Sequence, residues 1–152
     1  MAIQIAKHLG ARVATTVSRN NFDFVKGLGA DTAIDYGGQD FAEVVRDLDA
    51  VFDTVGGDTC LRSYRVLKKG GRIVSLLGMP SKELAREFGV EAIEQRTQVT
   101  TERLNILTSL VDRRALKVHV GEAFSPERAA EALLRMERGA LRGKVILRIG
   151  SV

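Results

Sequence analysis

Along the first 80 residues the apolar positions switch between a helical and a strand period with few interruptions. Ala2, Ile5, Ala6 and Leu9 recur at i, i+3, i+4 and i+7, one apolar stripe on a helix that Gly10 closes. The run Arg12 to Val17 reads as a strand, and a short helix over Asn21 to Leu28 stops at Gly29. Thr32 to Asp35 is a brief strand, and Phe41, Val44, Val45 and Leu48 make another helical stripe. Ala50 to Thr54 is a near-continuous apolar strand, a pattern that suits burial on both faces. After the turn Gly56-Gly57, the positions Cys60, Tyr64 and Leu67 mark a helix that Gly70-Gly71 ends, and Arg72 to Leu77 is the next buried strand.

Beyond Gly78-Met79-Pro80 the rhythm loosens. Ser81 to Gly89 is polar, a loop or a short helix, and Glu91 to Val99 alternates as a strand. Leu104, Leu107 and Val111 share one face of a helix from Thr101 to about Arg114. Ser125-Pro126-Glu127 predicts a helix start, with Ser125 as N-cap and Pro126 in the first helical position. Ala129, Leu133 and Met136 continue that helix, Gly139 stops it, and Lys144 to Ile149 is a closing strand. Strands separated by helices imply parallel pairing through right-handed crossovers. The expected fold is α/β: a Rossmann-like, doubly wound, mostly parallel sheet with helices on both faces.

Composition narrows the partners. The 152 residues suit a single domain spanning 1–152. Hydrophobic residues make up 45% and charged residues 28%, with two prolines, so a packed core is expected rather than disorder. The net charge is +4, but Lys and Arg are scattered and aromatics are only 5%, so neither a basic cluster nor a stacking platform for nucleic acid is present. No apolar run approaches the roughly 20 residues that span a bilayer, and a cytoplasmic protein without membrane or nucleic-acid partners is expected. Cys60 is the single cysteine, which excludes an internal disulfide and agrees with a reducing compartment. Cys60, His8 and His119 are too few and too scattered for a metal site. No nucleophile carries a recognisable base and orienter, so no catalytic side chain is singled out.

The opening helix followed by a strand that ends in Ser18-Arg19-Asn20 matches the second half of a dinucleotide-binding βαβ unit. In such a unit a first strand and a glycine-rich turn precede the helix, and the pyrophosphate sits on the helix N-terminus. Neither stands ahead of Met1 in these residues, so the expectation is of an N-terminally truncated domain. An NAD site would place Asp or Glu at the end of the second strand for the ribose 2′-hydroxyl. Ser18 and Arg19 instead offer a hydroxyl and a planar fork of donors, which suits a 2′-phosphate and hence NADPH. Equally, Ser18 can cap the following turn while Arg19 is simply solvated. Thr54, Val55, Gly56 and Gly78 fall at the carboxyl ends of the fourth and fifth strands, the edge where ligands enter open parallel sheets. They are candidates for the nicotinamide ribose, with ordinary turn residues as the alternative.

Five segments carry a more specific likeness: Ala2-Ile3-Gln4-Ile5-Ala6-Lys7; Gly27-Leu28-Gly29-Ala30-Asp31 leading into Ile34-Asp35-Tyr36; Asp53-Thr54-Val55-Gly56-Gly57; Leu67-Lys68-Lys69-Gly70-Gly71-Arg72-Ile73-Val74; and Gly143-Lys144-Val145-Ile146-Leu147. Together they resemble the medium-chain dehydrogenase/reductase superfamily, and within it the zinc-independent quinone reductase branch. The resemblance runs over the whole chain but matches only the cofactor-binding half of that family. It implies NADPH as cofactor, hydride transfer to a small-molecule quinone or conjugated carbonyl, and a homodimer formed through the strand Glu91 to Val99. It also implies that Tyr36 lies near the adenosine phosphate and that Lys144 faces the site; otherwise Tyr36 is a half-exposed strand-end residue and Lys144 a solvated one.

The family's N-terminal catalytic domain, first Rossmann strand and glycine turn have no counterpart in these residues, so the isolated chain is expected to be inactive as a reductase. The alternative is a non-catalytic remnant or self-associating module. A methyltransferase-like nucleotide fold would want an acid where Ser18-Arg19 stands. In the strand order 3-2-1-4-5-6 the first strand is central. Without it, the strands at Arg12 to Val17 and Ala50 to Thr54 are expected to face each other across about 10 Å, twice the ordinary strand spacing, or to pair directly.

Overall fold

A computed structural model of the protein describes residues 1–139 and 141–150. Its elements in chain order are α1 (Ala2–His8), β1 (Ala14–Val17), α2 (Phe22–Gly27), β2 (Thr32–Asp35), α3 (Phe41–Val44), β3 (Leu48–Asp53), α4 (Gly57–Ser63), β4 (Leu67–Ser75), α5 (Lys82–Phe88), β5 (Glu91–Glu94), α6 (Thr101–Asp112), β6 (Val120–Phe124), α7 (Ala129–Glu137) and β7 (Lys144–Leu147). Short 3₁₀ turns cover Arg19–Asn21, Tyr64–Val66 and Pro126–Arg128. Every ladder between these strands is parallel, as the alternation of helices and strands predicts.

The parallel strands fall into three groups. β1 pairs with β2, β3–β4–β5 form a second sheet, and β6 pairs with β7. Among the described residues β1 and β3 share no ladder, so the direct-pairing outcome is not the one adopted. Side chains join the first two sheets instead. Ile34 of β2 packs with Phe41 and Val66, and Leu48 and Val51 of β3 lean on the same cluster. A second cluster, Cys60, Tyr64, Leu67, Ile73 and Ala85, lies between β4 and the helices α4 and α5. Cys60 and Tyr64 stand four residues apart, so one helical face delivers both.

Several boundaries depart from the expected ones. Leu48 does not extend a helical stripe: α3 is a single turn whose cap Asp40 accepts from Ala42 N–H, and Leu48 starts β3. β3 is not buried on both faces: Asp49, Ala50 and Phe52 are exposed, Phe52 to 51%. The segment from Leu67 to Gly71 belongs to β4 rather than to the end of a helix. It bulges, since the register jumps from Leu48↔Leu67 to Ala50↔Arg72. A Cβ on Gly71 would lie 2.9 Å from Lys68 O and 3.2 Å from Leu48 O, so only glycine fits where the backbones converge. Leu76 and Leu77, expected in a buried strand, lie beyond β4 and are exposed.

Ser81 to Gly89 resolves as α5, capped by the Ser81 hydroxyl at Leu84 N–H and closed by Gly89 in the left-handed region. The strand expected over Glu91 to Val99 ends at Glu94. Ser125 holds the N-cap position, but its side chain makes no capping bond and the first turn is 3₁₀. β6 was not expected from the apolar pattern.

Polar side chains hold α1 in place. Lys7 Nζ lies 2.8 Å from Asp31 Oδ2, which also accepts from Val13 N–H at 2.6 Å. Gln4 makes a reciprocal pair with the Lys117 backbone, accepting from its N–H at 2.8 Å and donating to its carbonyl at 3.1 Å.

Candidate functional site

In parallel strands all carboxyl ends point one way, so the loops that follow them gather along one edge. Val17 and Asp35 are register partners, and Tyr36 N–H donates to Val17 O at 3.3 Å. Ser18, Arg19 and Tyr36 therefore leave β1 and β2 together. Ser18 is extended and begins the 3₁₀ turn, but its hydroxyl accepts from the Asn21 side-chain amide at 3.0 Å rather than from backbone. Arg19 is exposed and forms no ion pair among the described residues; Tyr36 is 68% exposed. No carboxylate among the described residues is hydrogen-bonded to any of the three. Asp35, the nearest in sequence, accepts from Gly37 N–H in its own turn.

A further cation reaches this edge from the far end of the chain. Arg142 donates from Nε to Asn21 Oδ1 at 3.0 Å and from Nη2 to Asn20 O at 2.9 Å, with its guanidinium 5.1 Å above the Phe24 ring. Sequence reasoning missed it. A residue 121 positions away from its partner has no signature in spacing.

The second group lies at the ends of β3 and β4. Thr54, Val55 and Gly56 follow β3, Gly78 follows β4, and Gly56 and Gly78 border a cleft of about 200 Å³ with Cys60, Ser75, Leu77 and Ser81. Thr54 and Val55 are exposed at its margin. Gly56 has φ +74°, and a Cβ there would sit 3.3 Å from Leu77 Cβ. Behind the turns Asp53 is buried: Oδ1 accepts from Gly56 N–H at 2.9 Å and Val55 N–H at 3.1 Å, and Oδ2 accepts from the Ser75 hydroxyl at 2.8 Å. Burial pushes the Asp53 carboxyl up, but the bonds from Gly56, Ser75 and Val55 outweigh it and hold the group below the usual carboxylate range. Burial, with Asp53 alongside, pushes the Cys60 thiol up to about 11, so it is a protonated core group and no nucleophile.

Lys144 does not border the Gly56–Gly78 cleft. Its N–H donates to His119 O at 2.8 Å, and its residue lines a different cleft with Gln4, Phe24 and His119. The seven other candidates thus form two groups on two sheets, and Lys144 stands on a third. The donor set at the first group fits a phosphorylated ribose: a hydroxyl and two guanidiniums, with no acid bonded to them. The second group, with its positive-φ glycines and exposed small residues, fits the close approach of a flat ring and its ribose.

Among the described residues no group of three or more His, Cys, Asp or Glu could hold a metal ion, and no helix is long and apolar enough to cross a membrane.

Comparison with known proteins places this geometry in a family. The family profile described as zinc-binding dehydrogenase matches residues 28–147. The chain is 31% identical over 153 residues to 2-methylene-furan-3-one reductase of Solanum lycopersicum, covering 97% of this chain and 36% of that protein. It is 39% identical over 80 residues to the chloroplastic NADPH-dependent alkenal/one oxidoreductase of Arabidopsis thaliana, covering 51% of this chain and 20% of that one. The solved quinone oxidoreductase of Coxiella burnetii superposes with a TM-score of 0.87 at 35% identity, over 97% of this chain and 48% of its own. The chain thus spans half or less of each of these relatives. It belongs to the zinc-binding dehydrogenase family, within the medium-chain dehydrogenase/reductase superfamily, and corresponds to that superfamily's C-terminal half.

Proposed function

We propose that this chain is the cofactor-binding half of an NADPH-dependent oxidoreductase that reduces a quinone or another conjugated carbonyl. The observation that carries the reading is the gathering of Ser18, Arg19 and Tyr36 at the ends of β1 and β2, and of Thr54, Val55, Gly56 and Gly78 at the ends of β3 and β4. The relatives' names, an NADPH-dependent alkenal/one oxidoreductase and a quinone oxidoreductase, support the same chemistry. The nicotinamide supplies the hydride when bound. This chain's part is recognition and orientation: Arg19 and Ser18 take the 2′-phosphate, Tyr36 lies near the adenosine phosphate, and the turns at Gly56 and Gly78 admit the nicotinamide ribose. Lys144 stands apart from both groups and has no part in this reading. A cytoplasmic, reducing setting suits the one buried thiol.

NADPH is expected to bind more tightly than NADH, and Arg19→Glu is expected to abolish the preference. A charge-assisted hydrogen bond contributes about 1.5 to 3 kcal/mol, or roughly tenfold and upward in affinity. Titration of both cofactors followed by NMR reads this at millimolar concentrations. Equal affinity of the unaltered chain for the two cofactors, or an unchanged preference in Arg19→Glu, would overturn the NADPH assignment.

A second reading, a self-associating module without activity of its own, is favoured by the divided sheet and by the edge of β5, which has no strand beside it among the described residues. We place a homodimer contact on that edge. Gln95 N–H donates inward to Ser75 O, so by alternation Ile93 also faces β4 while Glu94 directs its backbone outward. Glu94→Pro therefore removes an outward donor and spares the β4 ladder. Sedimentation equilibrium is expected to give a dimer for the unaltered chain and a monomer for Glu94→Pro; a monomeric unaltered chain refutes the contact.

A further inference from the structure

The hydride-transfer reading leaves two deeply buried polar groups without a role. Asp53 is 4% exposed and Ser75 2%; Ser75 borders the cleft behind the turns, and Asp53 lies behind Ser75. They are register partners at the last positions of β3 and β4. We propose that Asp53 and Ser75 form a positioning pair that locks the turn after β3 and the turn after β4 into one unit, fixing the nicotinamide end of the cleft independently of the adenosine end. This rests on the cofactor-binding reading above.

The hydrogen bonds run in one unbroken series. Val55 and Gly56 N–H groups donate to Asp53 Oδ1, the Ser75 hydroxyl donates to Asp53 Oδ2 at 2.8 Å, and Leu77 N–H donates to Ser75 Oγ at 3.2 Å. Each link needs the group that is there. A hydroxyl can donate once and still accept, so Ser75 joins an acceptor on one side to a donor on the other; alanine does neither. A carboxylate accepts at both oxygens, whereas asparagine would turn a donor toward Ser75 and leave the hydroxyl proton without its acceptor. The turns so joined have little slack, since a Cβ on Gly56 would already press on Leu77. Gly56, Leu77 and Gly78 line the cleft that would take the nicotinamide ribose, so a shift of one turn against the other changes its width. Ser18, Arg19 and Tyr36 leave from the other sheet and share no bond with this network.

That separation supplies the test. NADPH touches both ends, while 2′,5′-ADP carries only the adenosine end with its 2′-phosphate. The chain and its Ser75→Ala and Ser75→Thr variants are titrated with each ligand by NMR, alongside urea unfolding and amide exchange at Leu77. Ser75→Ala is expected to weaken NADPH at least fivefold, leave 2′,5′-ADP within twofold and speed exchange at Leu77, and Ser75→Thr to restore all three. Unchanged NADPH binding in Ser75→Ala, or equal loss of both ligands, overturns the proposal, the latter because a purely structural role acts on both ends alike. Asp53→Asn, which keeps an acceptor for Val55 and Gly56, carries the same expectations if Ser75→Ala fails to fold. An unaltered chain that binds 2′,5′-ADP as tightly as NADPH overturns the positioning pair alone. One that binds neither overturns the cofactor reading beneath it.

Discussion

Tyr64→Ala is expected to remove a large share of the chain's folding stability, and Tyr64→Phe a smaller, separable part. The Tyr64 ring is 0% exposed at the centre of the cluster formed by Cys60, Leu67, Ile73 and Ala85, with the Phe88 ring 6.2 Å away. Truncating a buried aromatic to alanine costs about 3 to 5 kcal/mol, because the lost transfer energy is joined by the cavity left behind. A whole domain has only about 5 to 15 kcal/mol to lose. The phenol also donates to Ser81 O at 2.9 Å, and burial pushes its pKa up to about 12, so it remains a protonated donor throughout the neutral range. Phenylalanine keeps the packing and removes one of the two donors to that carbonyl, which still accepts from Ala85 N–H at 3.0 Å, so the loss is the net worth of one hydrogen bond, about 0.5 to 1.5 kcal/mol. Because Ser81 borders the Gly56–Gly78 cleft, Tyr64→Phe should loosen the cleft wall as well. Urea unfolding followed by circular dichroism reads both variants; a Tyr64→Ala midpoint close to that of the unaltered chain would show that this cluster does not hold the fold.

The readings that came through were those in which one short-range pattern and one physical cause agree. Ala2, Ile5, Ala6 and Leu9 specify a helix, Thr32 to Asp35 a strand, and Thr101 onward a helix capped by Thr100 at Arg103 N–H. Parallel pairing followed from the order of elements alone. What failed were boundaries decided by tertiary contacts. Leu48 continues the helical spacing of Phe41, Val44 and Val45, yet it serves the cluster around Ile34 better as the first residue of β3. Gly70-Gly71 looks like a helix stop, but a bulge needs the same residue type. β6 lay in a stretch, Val120 to Phe124, where Gly121 and Glu122 break the apolar alternation. A Cβ on Gly121 would run into Arg142 O, so this strand is specified by close backbone approach rather than by hydrophobic pattern.

The candidate site was legible in the same uneven way. Ser18, Arg19, Thr54, Val55, Gly56 and Gly78 could be singled out as candidates because each follows a strand that the apolar pattern marks. Asp53 and Ser75, which hold those turns in place, look in sequence like the polar ends of two apolar runs. Their pairing is visible only once Asp53 and Ser75 stand side by side across the ladder. Arg142 had no local cue at all.

The unpaired edges of β1 and β3 set the largest remaining expectation. Both strands are parallel; among the described residues each is bonded on one side only, and the sheets they belong to are joined by side chains of Ile34, Leu48 and Val51 without a backbone ladder. A strand laid between them, parallel to both, would satisfy two rows of backbone groups and cover Phe52, now 51% exposed. Burying a phenylalanine fully contributes about 1.5 to 3 kcal/mol, and for a domain of this size 1 kcal/mol moves the melting temperature by roughly 2 to 4 °C. The added ladder bonds, about 0.5 to 1.5 kcal/mol each, work against the entropy of ordering the new strand. Joining a Val- and Ile-rich strand and a glycine-rich turn to the chain ahead of α1 is therefore expected to raise the melting temperature by about 5 °C or more. It should also tighten NADPH, because a glycine turn leading into a helix presents backbone N–H groups to the pyrophosphate. 2′,5′-ADP, which lacks the pyrophosphate bridge and the nicotinamide, should gain far less. Calorimetric melting and the two titrations decide the matter. An unchanged melting temperature, with Phe52 as open to solvent as before, would mean that β1 and β3 are not held at a spacing that admits a strand.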